Sequence, residues 1–251
     1  MSIQGKVALV TGASRPKGIG KATALTLAKL GADVVVTGWN HMDGAEAVSE
    51  EIRATGRRSL AVKMDATDFA NVQQGFEAIK KELGPVNILV NNAALMGHNI
   101  TIAKTTVEEW DYEIRLCLNS AFYCIKAAWA DMCENKWGRI VNMTSVAGVQ
   151  GGYGQTSYGA AKAGLIALAQ STALEGARFN ITANCVLVGI SATDGYDLLP
   201  EPVQQKVEKK TVIGRPAKPQ EIADAVAYLV TGEYMTGAVM NMLGGMDLFV
   251  F

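Results

Sequence analysis

Short runs rich in β-branched residues alternate with longer stretches of helical periodicity along most of this chain, and that alternation admits very few folds. Lys6 to Thr11 (KVALVT), Asp33 to Thr37, Ser59 to Met64, Asn87 to Val90, Gly138 to Met143 and Ile181 to Val186 read as six strands. Between them the spacing predicts helices over Ile19 to Leu30, Gly44 to Ala54, Asn71 to Glu82, Thr106 to Asn135 and Ser157 to about Ala177. Strands joined through helices lie parallel, and a sheet covered on both faces explains strands with no polar alternation. The expected architecture is α/β: a single doubly wound parallel sheet with helices on both faces, binding ligands at the carboxyl ends of its strands. No linker-like run divides the 251 residues, so one domain over 1–251 is expected.

Charge removes several classes of function. Lys plus Arg number 23 against 24 Asp plus Glu, so the surface offers nothing suited to nucleic acid or to an anionic membrane. No apolar run approaches 18 residues and the first ten, MSIQGKVALV, lack the pattern of a secretory leader, so a cytoplasmic protein is expected. Cys117, Cys124, Cys133 and Cys185 form no C-x-x-C pair and read as reduced structural thiols, with no metal site.

The loop after the first strand, Thr11-Gly12-Ala13-Ser14-Arg15-Pro16-Lys17-Gly18-Ile19-Gly20, carries the first chemistry. Glycines let backbone turn sharply and approach a pyrophosphate, and the helix that follows offers free N–H groups and a positive dipole end. A dinucleotide site for NAD usually has an acid at the end of the second strand. Here that place reads Thr37-Gly38-Trp39-Asn40, with no acid, while Arg15 and Lys17 sit in the glycine loop. A 2′-phosphate wants cations, so NADP is favoured, with NAD possible.

A second constellation spans Ser145 to Lys162, SVAGVQGGYGQTSYGAAK. Tyr158 and Lys162 are four apart and share one helical face, where an ammonium beside a phenol favours the phenolate. Such a tyrosine is expected to act as acid or base nearer neutrality than its ordinary value of about 10.

Together the T-G-x5-G-I-G loop, Asn91-Asn92-Ala93-Ala94, Ser145 and Tyr158-x3-Lys162 resemble the short-chain dehydrogenase/reductase family, nearly end to end. GRIVNMTSVAG and GRPAKPQEIADAVAYL bring it nearest the 3-oxoacyl-carrier-protein reductase type. The resemblance implies a Rossmann-type fold and NAD(P)-dependent reduction of a ketone, or oxidation of a secondary alcohol. It implies that Tyr158 transfers the proton, Ser145 polarises the substrate oxygen, and Lys162 lowers the tyrosine pKa and binds the nicotinamide ribose. It further assigns Gly12, Ser14, Gly18 and Ile19 to the pyrophosphate, Gly38 and Trp39 to the adenosine end, and Asp65 and Ala66 to the adenine. Asn91 and Ala93 fall to the adenosine ribose, and Gly189, Ile190 and Thr193 to the carboxamide. A substrate lid is expected at about 190–214, and the resemblance implies a homotetramer built through the two long helices.

Four departures stand against the family pattern. Pro16-Lys17 reads as an insertion in the glycine loop, Val188 replaces a proline and is expected to loosen entry to the lid, and Leu243 replaces an aspartate. Cys117 stands where the family has an asparagine that helps hold a water behind the lysine. Trp110, Ile114, Cys117, Ala121, Ile125, Ala128 and Met132 follow one inward stripe, whereas Asn119 lies about 200° round the helix from Cys117 and is not assigned a role. A thiol is a weak hydrogen-bond partner, so a relay impaired or rerouted through water is expected.

Leu95, Met96, Tyr153 and Gln155 are expected to line the substrate pocket, with His98, Val149, Ile190, Tyr196, Leu198 and Leu199 nearby. That mainly apolar set suits a small-molecule carbonyl or alcohol with a hydrophobic body. The tail from Met235 to Phe251 is too apolar for a free terminus and is expected to pack on another subunit. Two readings stay open: an NADP-dependent carbonyl reductase, or a cofactor-binding relative with lost or altered redox activity that serves a binding or regulatory role.

Overall fold

In the computed structural model, which describes residues 2–95 and 99–248, one sheet is formed by β1 (Val7–Val10), β2 (Asp33–Gly38), β3 (Ser59–Lys63), β4 (Val86–Asn91), β5 (Gly138–Ser145), β6 (Ile181–Val188) and β7 (Val239–Met242). The strand order is β3-β2-β1-β4-β5-β6-β7 and each neighbouring pair is parallel. β1, β2, β4 and β6 are buried along their whole length, so their Val, Ile and Leu runs need two covered faces.

The helices are α1 (Ile19–Lys29), α2 (Met42–Arg53), α3 (Phe69–Glu82), α4 (Val107–Ile114), α5 (Ser120–Glu134), α6 (Ala147–Gln150), α7 (Thr156–Gly176), α8 (Asp194–Asp197), α9 (Glu201–Glu208) and α10 (Pro219–Thr231). On one face Leu27 of α1, Val48 and Ile52 of α2, and Ile222, Val226 and Leu229 of α10 pack against Ala8, Val10 and Val34. On the other, Val72 and Ile79 of α3 and Ile125, Ala128 and Met132 of α5 pack against Leu9, Leu89 and Ile140. The expected doubly wound sheet is the observed one.

The helix expected over Thr106 to Asn135 departs from the periodic reading. Thr106 does cap it, accepting from the Glu109 N–H at 3.1 Å while Glu109 returns to the Thr106 N–H at 2.9 Å. A π turn, Arg115–Asn119, then separates α4 from α5. A π turn holds more residues than an α turn, so everything before it is rotated relative to the stripe that follows. Cys117, Ala121, Ile125, Ala128 and Met132 face inward as expected, but Trp110 is exposed and Ile114 only half-buried. Glu113 takes the buried place instead, at 4% exposure.

Two departures read from the sequence acquire structural meanings. β6 runs through Val188, in register with Ser145 on one side and Met242 on the other, so the chain entering the 190–214 segment is tied into the sheet rather than loosened. Leu243 is buried and packs against Gly189, where an added Cβ would lie 3.3 Å from the Leu243 Cα. The tail accordingly joins its own chain: β7 is an edge strand, and Met240 and Met242 pack on the core. Leu248 is exposed, and Phe249 to Phe251 lie outside the described residues.

Candidate active site

The sheet order reverses between β1 and β4, and crevices form where the chain departs in opposite directions. Thr11 stitches that point together. Its Oγ1 donates to Val90 O at 3.4 Å and accepts the N–H groups of Asn92 and Ala93 at 3.0 Å each. Asn92 Nδ2 donates back to Thr11 O at 2.9 Å and Gly12 O at 3.0 Å. Gly12 has φ +66°, and a Cβ there would stand 2.8 Å from the Ala93 Cα; at Gly20 it would stand 2.7 Å from Asn92 Nδ2. Both positions therefore require bare backbone. Gly18 caps α1 without a side-chain bond, so the first N–H groups of that eleven-residue helix face the loop. Ile19 opens the helix, and the start of α2 lies against the Ser14 carbonyl through Gly44. This cradle of glycine backbone and helix N-terminus fits the pyrophosphate of a dinucleotide.

Pro16-Lys17 does not enlarge the cradle. Gly18 N donates to Arg15 O at 3.0 Å, closing an exposed turn that carries Lys17 toward α8. There Lys17 N donates to Asp194 Oδ2 at 3.0 Å and its Nζ pairs with Asp197 Oδ2 at 2.6 Å. Asp197 holds the ammonium in its charged form, above its usual range. Lys17, expected at the 2′-phosphate, is thus engaged by carboxylates of the 190–214 segment, whereas Arg15 forms no ion pair among the described residues. Lys63, in register with Gly38, sets its Nζ 5.0 Å from the half-exposed Trp39 ring. Sequence reasoning passed over Lys63, which comes to this end of the site through the β2–β3 pairing.

Asp65 accepts the Thr67 N–H at 2.9 Å and the Thr67 hydroxyl at 2.7 Å, so its carboxylate closes the turn before α3 beside buried Ala66. Asn91 Nδ2 donates to Asn142 Oδ1 at 2.9 Å, and its own Oδ1 is buried with no partner among the described residues. Past β6, Gly189 N donates to Met242 O at 3.2 Å and Ile190 O accepts from Ala217 N at 2.9 Å. Thr193 caps α8 from the same loop.

Ser145 ends β5, while Tyr158 and Lys162 lie one turn apart on α7. The Ser145 side chain faces the Tyr158 phenol and favours its phenolate. Lys162 is 3% exposed; its Nζ lies 5.5 Å from the Tyr158 ring centroid and donates to Met143 O at 2.8 Å. Its backbone is fixed as well, since Thr144 Oγ1 donates to Lys162 O at 2.7 Å and bare Gly148 lets α6 pack on that turn. The three expected residues are therefore brought together.

Their electrostatics differ from the expectation. Burial pushes the Tyr158 phenol up to about 12; Cys117 and Glu113 add to the rise, and the Ser145 side chain opposes it. Burial also lowers Lys162. A buried ammonium is itself destabilised, and this one already serves the Met143 carbonyl, so desolvation of the phenol prevails. Cys117, 2% exposed, has its thiol pushed up by burial, with the Lys162 charge and the Leu95 backbone opposing. Cys185 approaches Lys162 from β6, donates to Leu165 O at 3.5 Å and is pushed up to about 12 by burial.

The expected substrate residues divide. Leu95 is exposed directly after β4, and Gln155 folds over Gly152 just before α7. Tyr153 stands 88% exposed and Leu198 85%, so neither packs against the three residues. Tyr196 is turned away: its hydroxyl is engaged with Glu208 at 2.5 Å. Met96 and His98 lie outside the described residues. Among the described residues no group of three or more His, Cys, Asp or Glu could hold a metal, and no helix is long and apolar enough to cross a membrane.

Comparison with known proteins agrees with this geometry. The family model described as Enoyl-(Acyl carrier protein) reductase matches residues 12–247. The 3-oxoacyl-[acyl-carrier-protein] reductase FabG of Escherichia coli (strain K12) is 40% identical over 248 residues, 98% of this chain and 99% of the relative. The (2S)-[(R)-hydroxy(phenyl)methyl]succinyl-CoA dehydrogenase subunit BbsD of Thauera aromatica is 38% identical over 253 residues, 99% of each. A crystal structure from Sinorhizobium meliloti 1021, described as a short-chain alcohol dehydrogenase, superposes with a TM-score of 0.91 at 32% identity, over 98% of both chains. With its switch-point cradle and its Ser145, Tyr158 and Lys162 in one cluster, this chain is an oxidoreductase of the short-chain dehydrogenase/reductase family.

Proposed function

We propose that this oxidoreductase uses NADPH to reduce the ketone of a small molecule with a hydrophobic body, Tyr158 donating the proton. The observation that carries the reading is the buried Lys162 ammonium 5.5 Å from the Tyr158 ring centroid, with the Ser145 side chain facing the phenol. A bound nicotinamide supplies the hydride. Tyr158 gives its phenolic proton to the substrate oxygen, Ser145 holds that oxygen, and Lys162 carries the countercharge as the phenolate forms. Gly12, Gly18 and Ile19 would hold the pyrophosphate, Asn91 and Ala93 the adenosine ribose, and Gly189, Ile190 and Thr193 the carboxamide. The segment 190–214 acts as the lid of the single domain.

The names of the relatives favour a β-keto substrate, since the Escherichia coli and Synechocystis proteins are 3-oxoacyl-[acyl-carrier-protein] reductases. Incubation with NADPH and a panel of β-keto esters, cyclic ketones and aryl ketones tests the reading. Consumption with at least one class is expected, whereas cofactor binding without consumption across the panel would sink it.

NADPH is preferred in this reading because Arg15 sits in the glycine loop, Lys63 lies against Trp39 past β2, and Thr37-Gly38-Trp39-Asn40 holds no acid. Arg15→Ala and Lys63→Ala should each weaken NADPH by about tenfold or more, the scale of a charge-assisted hydrogen bond, with little effect on NADH. Lys17→Ala should leave that ratio unchanged, because Lys17 is engaged by Asp194 and Asp197. Fluorescence titration with both cofactors reads all three variants.

The chain acts in the cytoplasm as a homotetramer in this reading. Exposed Trp110, Tyr112, Phe122 and Leu174 on α4, α5 and α7 support assembly through the long helices. Sedimentation at micromolar concentration should give the mass of four chains, and a stable monomer would count against it.

A further inference from the structure

Glu113 is a carboxylate buried where an amphipathic helix would place an apolar side chain, and none of the roles above uses it. Its Oε2 accepts from the Ser157 hydroxyl, and its Oε1 is buried with no partner among the described residues. It forms no ion pair there either. A carboxylate so placed costs stability unless something offsets it. Part of the offset is the start of α7, a 21-residue helix whose positive end lies at Ser157. The remainder points to function, because Ser157 immediately precedes Tyr158 and the π turn is what brings Glu113 over α7.

We propose that Glu113 is a positioning residue for proton transfer: its buried carboxylate, docked on Ser157, holds Tyr158 in the proton-donating form. This rests on Tyr158 being the proton donor. The groups that face Tyr158 are Ser145 from β5, Cys117 from the π turn, Glu113 from α4 and Lys162 from its own helix, with Cys185 of β6 facing Lys162. Glu113 in turn faces Ser157 and Tyr158 of α7 and Cys117 one turn along. Of these only Lys162 is cationic, and it favours the phenolate; a negative charge at Glu113 opposes it. The family's asparagine is absent at Cys117, so the thiol supplies no fixed dipole to screen one charge from the other.

The test removes the charge and keeps the shape. Glu113→Gln retains an acceptor for Ser157, and Glu113→Met fills the same volume without one. With NADPH and ethyl acetoacetate as probes, both should move the alkaline break of the pH–rate profile down by about one unit or more. Glu113→Asp should restore the original profile. [13Cζ]Tyrosine NMR of the whole protein, with the Tyr158 signal assigned by its loss in Tyr158→Phe, should show the same displacement in the Tyr158 titration. This second readout does not depend on turnover of ethyl acetoacetate. Unchanged Tyr158 titration in both Glu113→Gln and Glu113→Met would overturn the inference while leaving the donor assignment intact. Full turnover in Tyr158→Phe would instead overturn the donor assignment itself.

Discussion

Tyr158→Phe should reduce kcat with ethyl acetoacetate by roughly 10²–10⁴-fold, the usual worth of a positioned general acid, while NADPH binding is retained. Phenylalanine keeps the ring on its face of α7 and removes only the hydroxyl that Ser145 engages. The pH dependence follows from the direction of the shift. With the phenol pushed up to about 12, it stays protonated through the neutral range. Reduction needs that form, so its rate should be flat there and fall only in strong alkali; alcohol oxidation needs the phenolate, so its rate should climb with pH. Tyr158→Phe should remove the climb. The stability contribution has the matching sign: the fold favours the neutral phenol, so its contribution is full below the ordinary value of about 10 and is lost as pH rises toward the folded value. Stopped-flow and steady-state rates in both directions check the kinetic part, and a variant with near-wild-type rates would remove Tyr158 from the chemistry.

The sheet was legible because its strands bury both faces, which leaves continuous apolar runs such as DVVVT that no surface element would carry. β7 escaped notice because an edge strand of four residues, VMNM, three of them half-buried and Asn241 exposed, is too short to show a pattern. α10 had a readable stripe at Ile222, Val226 and Leu229 behind Pro219, yet it entered only through likeness to the family. Within the site, Ser145, Tyr158, Lys162 and the glycine loop were legible because their spacing is local. What was missed depends on partners far along the chain. Lys17 meets Asp197 across 180 residues, and Lys63 reaches Trp39 only through pairing of two strands. Glu113 was hidden for a different reason: the stripe assumed 3.6 residues per turn, and the π turn rotates α4 so that a carboxylate replaces Trp110 on the inner face.

Lys162→Met separates catalysis from packing more sharply than any other single change in the cluster. Methionine matches the lysine stem in length and fills the same buried space, so the loss is the ammonium alone. That ammonium donates to Met143 O, two residues before Ser145, and stands beside the ring that must carry negative charge when the proton leaves. Removing it should lower kcat by roughly 10²–10³-fold, the scale of losing one preorganised electrostatic donor. Folding stability should move little. Leaving the Met143 carbonyl unmet costs about 1–3 kcal/mol, while taking a cation out of a site whose burial lowers its pKa acts in the opposite direction. For a chain of this size the net should fall within a few degrees of Tm. Calorimetry and kcat measured on the same preparation test the pair of outcomes. A large fall in Tm with proportionate loss of activity would make Lys162 a packing element. An unchanged Tm with near-normal kcat would mean that the phenolate forms without an ammonium, leaving the burial of Lys162 without a catalytic reason.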